Sequence, residues 1–197
     1  MSERQTDHPI DPQFTQRWSP RAFTGEPLDE ATLLSFLEAA RWAPSGFNAQ
    51  PWRFIYARAG TPAWGPIFDT LLPFNQGWVQ RASALVLVLS QTEWQAPGKE
   101  APAPNISHAF DTGAAWGYLA LQASLSGWYA HGIGGFDRDK ARAAVGAPAD
   151  HAVQAVIAIG RRGDKAILPE VLQAREQPSQ RLPLSQLAAE GRFNFAG

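Results

Sequence analysis

The stretch His108-Ala-Phe-Asp-Thr-Gly-Ala-Ala-Trp-Gly-Tyr-Leu-Ala-Leu-Gln-Ala-Ser-Leu-Ser126 decides how the rest of the chain is read. It has the make-up of a long helix, with Ser107 or Asn105 placed to cap it. Apolar residues fall on all of its faces, which suits a helix buried all round. Gly113, Ala114, Ala115, Gly117, Ala120 and Ala123 are small enough for another backbone to come close. In a chain of 197 residues, that second surface is expected from another subunit. The uncharged run continues from Thr112 to Phe136, long enough to raise the question of a membrane span. Gln122, Ser124, Ser126, Gly127 and His131 interrupt it, and it ends in glycines. The expectation is a buried helix, a strand over Trp128–Ile133 and a turn at Gly132-Ile-Gly-Gly135.

Working outward, Asp137 is placed to cap a helix reaching Val145, with Gly146 and Pro148 as stop signals. His151–Ile159 alternates and then runs apolar, a last core strand. Upstream, residues 92–106 hold four prolines or glycines and read as a loop long enough to be functional or mobile. Ala84–Leu89 is a continuous apolar run of strand length, expected at the centre of a sheet. Ala63–Leu72 is expected as a helix ended by Pro73, and Trp52–Ala57 as a short strand. Asp29–Trp42 reads as a helix with Asp29 as N-cap and Leu33, Leu34, Leu37 and Ala40 on one stripe, stopped by Pro44. Residues 1–12 are expected as a flexible arm, and 13–197 as a single domain. Its tail, Leu182–Phe195, carries too little apolar surface to fold alone and must lie against something. The mixture of strands and helices gives an α+β, or mixed α/β, class.

Composition narrows the chemistry. With 11 Phe, 8 Trp and 3 Tyr, the chain has too much large apolar surface to stay unfolded. Lys plus Arg is 17 against 18 Asp plus Glu, so there is no general basic footprint for nucleic acid. Zero cysteines exclude disulfides, thiolate nucleophiles, Cys-bound zinc and Cys-ligated iron–sulfur clusters. The polar start Met1-Ser-Glu-Arg-Gln-Thr-Asp-His8 has no apolar signal region, and a cytoplasmic location is expected. P-loop, G-x-G-x-x-G and G-x-S-x-G patterns are all missing. His108 and Asp111 stand one helical turn apart, as two metal ligands or as ordinary helix-end polarity.

Three clusters carry chemistry. In Arg17-Trp18-Ser19-Pro20-Arg21, two guanidinium groups flank a hydroxyl. They either converge on one anion, as arginine does with phosphate, or remain surface charges. Pro44-Ser45-Gly46-Phe47-Asn48-Ala49-Gln50-Pro51-Trp52 is either a rigid loop that hydrogen-bonds a flat polar ligand or a structural connection. Gly132-Ile-Gly-Gly135 either admits a ligand to the backbone or makes a tight turn.

In this order, the pieces resemble the nitroreductase family of FMN-dependent flavoproteins. The resemblance rests on Arg17-x-Ser-x-Arg-x-Phe23, on Pro44-Ser-x-x-Asn-x-Gln-Pro-Trp52, and on Phe74-Asn75 ahead of the second strand. Gly134-Gly135 and Arg181-Leu-Pro183 complete it, and it covers about residues 13 to 187. It implies a mainly antiparallel sheet flanked by helices in an intertwined homodimer, with FMN at the subunit interface. The C-terminal segment would wrap the partner. It also implies an NAD(P)H oxidoreductase reducing nitroaromatics, quinones or related acceptors, with no catalytic side chain and no metal. Arg17, Ser19 and Arg181 would bind the phosphate and ribityl end, with Trp18 in the same stretch. Arg21 and Asn75 would meet the pyrimidine ring, and the backbone of Gly134 and Gly135 would face N5. Pro44, Ser45, Gly46 and Asn48 would come from the other subunit. Ser179 stands where many members carry a second basic residue. The 92–106 loop, where larger members carry a longer insertion, leaves acceptor preference open. Its Trp94 is read either as a wall of the acceptor pocket or as a clip holding the loop down. Other readings on the same scaffold are reductive dehalogenation, flavin fragmentation and flavin storage; an interaction domain without cofactor is the remaining one.

Overall fold

Residues Ala84 to Ser90 are buried without interruption, and they form the centre of the molecule. Such a run needs cover on both faces of its sheet, and it has it. In the computed structural model, which describes residues 4–195, strand β2 (Ala84–Gln91) points its side chains alternately into two cores. Leu85, Leu87 and Leu89 enter one; Ala84, Val86 and Val88 enter the other. The other sheet strands are β1 (Trp52–Arg58), β5 (Tyr129–Ile133) and β6 (His151–Gly160), in the order β1-β2-β6-β5, every pair antiparallel. The β2–β6 register shifts between Val88 and Leu89, leaving Gln154 as an extra residue on β6. Its Nε2 donates to the buried Ser90 Oγ at 2.7 Å.

Helices cover both faces. On one lie α2 (Glu30–Arg41) and α5 (His108–Leu125), which bury Leu33, Phe36, Ala115, Leu119 and Ala123 against Val86 and Ile157. On the other lie α3 (Trp64–Phe68), α4 (Pro73–Val79) and α6 (Arg138–Val145), which supply Ile67, Val79 and Ala141. The short α1 (Pro12–Gln16) precedes them, and α7 (Glu170–Gln173) lies in the tail. Caps follow local chemistry. Asp29 accepts from Thr32 N–H, Asp137 accepts from Lys140 N–H, and Gly146 closes α6 in the left-handed conformation at φ 63°.

The architecture is mixed α+β, as the mixture of strand and helix patterns predicts, around the antiparallel sheet that the family resemblance implies. Local boundaries differ in four places. The helix expected over Ala63–Leu72 stops at Phe68, because the chain turns there to let Leu71 bridge to Phe136. Pro73, read as a stop, is the first residue of α4; proline suits that position because its missing N–H has no intrahelical partner anyway. Phe74 and Asn75 therefore sit on a helix. The 92–106 loop contains a two-stranded hairpin, β3 (Glu93–Trp94) with β4 (Ala103–Pro104). Gly132 belongs to β5 and pairs with Ile157, so the turn begins after Ile133.

Helix α5 is not buried all round in the single chain. Phe110 is 83% exposed and Leu125 65%. A Cβ added at Gly113 or Gly117 would meet nothing within 4 Å. Phe110, Gly113, Gly117 and Leu121 recur at helical spacing on this outer side. No helix among the described residues is long and apolar enough to cross a membrane. Of the expected N-terminal arm, residues 1–3 lie outside the described residues; further on, Asp7 Oδ2 accepts the N–H of Leu184 at 2.6 Å. The tail from Leu182 leaves Leu182, Leu187 and Phe193 largely exposed.

Candidate functional site

The segment from Arg17 to Phe23 is held from both ends and from the middle. Phe23, fully buried, bridges to Arg162 and packs so closely on Gly160 that a Cβ there would lie 2.7 Å from its ring. Trp18 is buried edge-on to Tyr129 with ring centroids 6.3 Å apart. Glu176 Oε1 accepts the N–H groups of Arg21 at 2.7 Å and Ala22 at 2.8 Å. His131, on β5, faces the carbonyl of Pro20 through Nδ1 at 2.9 Å. A carbonyl only accepts, so Nδ1 carries the proton. Burial, which outweighs the Pro20 hydrogen bond, pushes His131 down to about 4, and the Arg21 and Arg17 charges act in the same direction.

So pinned, Arg17, Trp18, Ser19 and Arg21 line a cleft of about 600 Å³ with Arg181 and His131. Arg4 and Arg175 join them, making five arginines and no carboxylate among the described residues of the wall. Burial lowers the Arg17 guanidinium from its ordinary value, and the Arg181 charge adds to this. Arg21 is lowered by burial and by Arg175, with Glu176 opposing. None of the five forms an ion pair among the described residues. A wall of unpaired guanidinium groups is a receptor for a multiply charged anion. Arg17 Nη1 points to Ser19 Oγ at 3.4 Å. Arg17 and Ser19 also face a second cleft against Trp116, Gly117, Ala120 and Leu121, so the anion site borders the outer side of α5.

The polar strip continues past the arginines. Arg21 lies over the Trp78 ring at 5.9 Å, and that ring is 4.7 Å from His131. Trp78 Nε1 donates to Asn75 Oδ1 at 3.2 Å, and Asn75 Nδ2 donates to the Gly135 carbonyl at 2.9 Å. Gly135 has no room for a side chain: a Cβ would lie 2.6 Å from Asn75 Nδ2. At Gly134 a Cβ would meet nothing within 4 Å, so open space lies where a side chain would project.

Pro44, Ser45, Gly46 and Asn48 are not in this cleft. Their loop is anchored at the N-terminal end of α5, where Gly46 N–H donates to Asp111 Oδ2 at 3.1 Å. Ser45 Oγ accepts from Gln50 N–H at 3.0 Å. Phe47, Asn48 and Gln50 have φ of 53°, 57° and 47°, a region that side-chain-bearing residues seldom adopt. Phe47 is 90% exposed and stacks on Trp94, with centroids 5.8 Å apart. His108 and Asp111 are committed to protein partners, His108 Nδ1 to Ser90 Oγ at 2.7 Å and Asp111 to Ser107 Oγ at 2.9 Å.

Comparison with known proteins gives this arrangement its relatives. The sequence profile of the Nitroreductase family matches residues 14–63. A solved structure of an FMN-containing oxidoreductase shares 45% identity over 98% of this chain and 97% of its own, with a TM-score of 0.94. The chain belongs to the nitroreductase family. It is also similar to an NADH dehydrogenase of Thermus thermophilus, 29% identical over 87% of this chain and 91% of the relative. An FMN complex from Desulfovibrio desulfuricans assigned to the nitroreductases is 27% identical, with a TM-score of 0.71, over 96% of this chain and all of that one. Arg4, Arg175, His131 and Glu176 escape sequence inspection. They come from three separate parts of the chain, Arg4, His131 and the adjacent pair Arg175-Glu176, and no local pattern marks them.

Proposed function

We propose that this nitroreductase-family chain is an FMN-dependent NAD(P)H oxidoreductase acting as a homodimer, with nitroaromatics, quinones or related compounds as acceptors. One observation carries the reading: a cleft lined by five arginines, with no carboxylate among the described residues, runs on into the Arg21–Trp78–Asn75–Gly135 strip. The charged end fits a phosphate. The strip offers hydrogen-bonding groups and open backbone for a flat heterocycle.

Arg17, Ser19 and Arg181 hold the phosphate and ribityl end, with Trp18 as their buried support. Arg21 sets a positive charge beside the pyrimidine edge, where charge accumulates on reduction. Asn75 already spends one N–H on Gly135 and its oxygen on Trp78, so its second N–H is the one left for the ring. Gly134 and Gly135 admit the ring to backbone contact. His131 is neutral at pH 7 with its proton on Nδ1, so it serves as an acceptor and not as an acid. Held by these residues, FMN would supply the redox chemistry, ping-pong hydride transfer through N5 between NAD(P)H and the acceptor.

The outward loop fits a two-subunit site. It stands at the Asp111 end of α5, whereas the arginine cleft adjoins Trp116 to Leu121, about 7.5 to 15 Å along at about 1.5 Å per residue. A two-fold axis across the open stripe of α5 turns the partner helix end for end. The partner's Pro44, Ser45, Gly46 and Asn48 then approach this chain's cleft. The single-domain reading of 13–197 accords with two cores that share one sheet.

The test is an absorption spectrum of the purified protein, recorded with added FMN and again after anaerobic NADH or NADPH. A bound flavin that bleaches supports the reading. A protein that stays colourless with FMN refutes it, and a bound flavin that neither nucleotide bleaches makes the chain a flavin-binding protein.

A further inference from the structure

Arg4 precedes every regular element, yet it is one of the more constrained arginines in the molecule. Its Nη1 donates to the carbonyls of Thr15 at 3.0 Å and Arg17 at 2.7 Å, which fixes the guanidinium plane across the segment that carries Arg17 and Ser19. Its Nε is buried and has no hydrogen-bond partner among the described residues. Three residues on, the Asp7 carboxylate accepts the N–H of Leu184, itself three residues past Arg181. The two ends of the chain are thus laced together beside the cleft, and each delivers one arginine to its wall.

Among the described residues, two backbone carbonyls and no carboxylate face this cation. Arg4 forms no ion pair among the described residues. Burial, then the charges of Arg181 and Arg17, hold its guanidinium below the ordinary value. Three guanidinium groups brought together at this cost, one with a buried N–H lacking an acceptor, are relieved by an anion among them.

Resting on the cofactor reading above, we propose that Arg4 is a phosphate-binding residue and that segment 4–7 is a strap across the phosphate end of the site. The Asp7–Leu184 hydrogen bond secures the strap to the segment carrying Arg181. The ligand chemistry is that of a phosphomonoester dianion on a flavin.

The experiment is fluorescence titration of the full-length apoprotein with FMN and with riboflavin, which lacks the phosphate. Arg4→Ala is expected to weaken FMN binding about 10- to 100-fold, the loss of one charge-assisted contact, with riboflavin affinity unchanged. Arg4→Lys, which keeps the charge without the fork, recovers part of the FMN affinity. If Arg4→Ala weakens both flavins equally, Arg4 is a bracket for the backbone at Thr15 and Arg17, and the proposal is wrong. If Arg4→Ala binds FMN like wild type while Arg17→Ala does not, Arg4 alone is excluded and the cofactor reading stands. If wild type binds neither flavin, both fail together.

Discussion

The two motif-bearing stretches, Arg17 to Phe23 and Pro44 to Trp52, are built in opposite ways. The first is fastened at several points: Glu176 takes two of its N–H groups, His131 takes a carbonyl, and Phe23 is locked over Gly160. Its functional side chains turn into a cleft of their own chain. The second is fastened at Gly46 to Asp111 and at Pro51, whose carbonyl accepts from Gln91 N–H at 2.9 Å; between them it runs through three residues at positive φ, presenting Phe47 to solvent. A site assembled from two copies needs both kinds of part. One half must be finished before the subunits meet, and the other must face outward to complete the neighbour.

The sharpest way to break that contrast is to loosen the first stretch. Glu176→Ala strands the N–H groups of Arg21 and Ala22, at about 1–3 kcal/mol for each unsatisfied donor. Urea denaturation should show that loss, and FMN affinity should fall with it. An unchanged midpoint would mean the segment does not depend on this clasp.

Acid reaches the same stretch through His131. The folded state keeps this imidazole neutral down to about pH 4, whereas the unfolded chain protonates it near 6.5. Between these values the unfolded state binds more protons, so stability rises with pH across the window and the contribution is complete above it. Wild-type apoprotein should lose about 2–3 kcal/mol more than His131→Gln between pH 7.5 and 4.5. Equal losses would assign the acid sensitivity to other groups.

On the proposed cofactor reading, Arg17→Ala should leave the fold intact and cost about 1.5–3 kcal/mol of FMN affinity. A flavin titration that matches wild type would take Arg17 out of the site. The smallest effect belongs to the outward stretch. Trp94→Ala removes the stack on Phe47, worth about 0.5–1.5 kcal/mol, and is expected to raise the acceptor KM with little change in Tm. A lower Tm with unchanged KM would make Trp94 a clip for its loop.

What the sequence discloses follows the range of the interactions involved. Helices α2 and α6 are legible because Asp29, Asp137 and Gly146 act within a few residues of themselves. Strand β2 is legible because seven consecutive buried residues leave no other reading. Pro73 misleads because proline both ends helices and begins them, and only the bridge from Leu71 to Phe136 decides between these. In the site, Arg17, Ser19 and Arg21 announce themselves as a cluster, and Asn75 and Arg181 only by resemblance. The positive φ of Phe47 leaves no mark in composition. Glu176 acts across 154 or more residues of chain, a distance no spacing rule covers.

The alternation along β2 has a consequence for assembly of the chain itself. A strand that docks one position out of step exchanges its two sets of side chains, sending leucines where Ala84, Val86 and Val88 belong and the smaller set where the leucines belong. One layer is then overfilled and the other left with voids in the same event. The error is therefore punished twice, once in each of the layers that the helices close over the sheet.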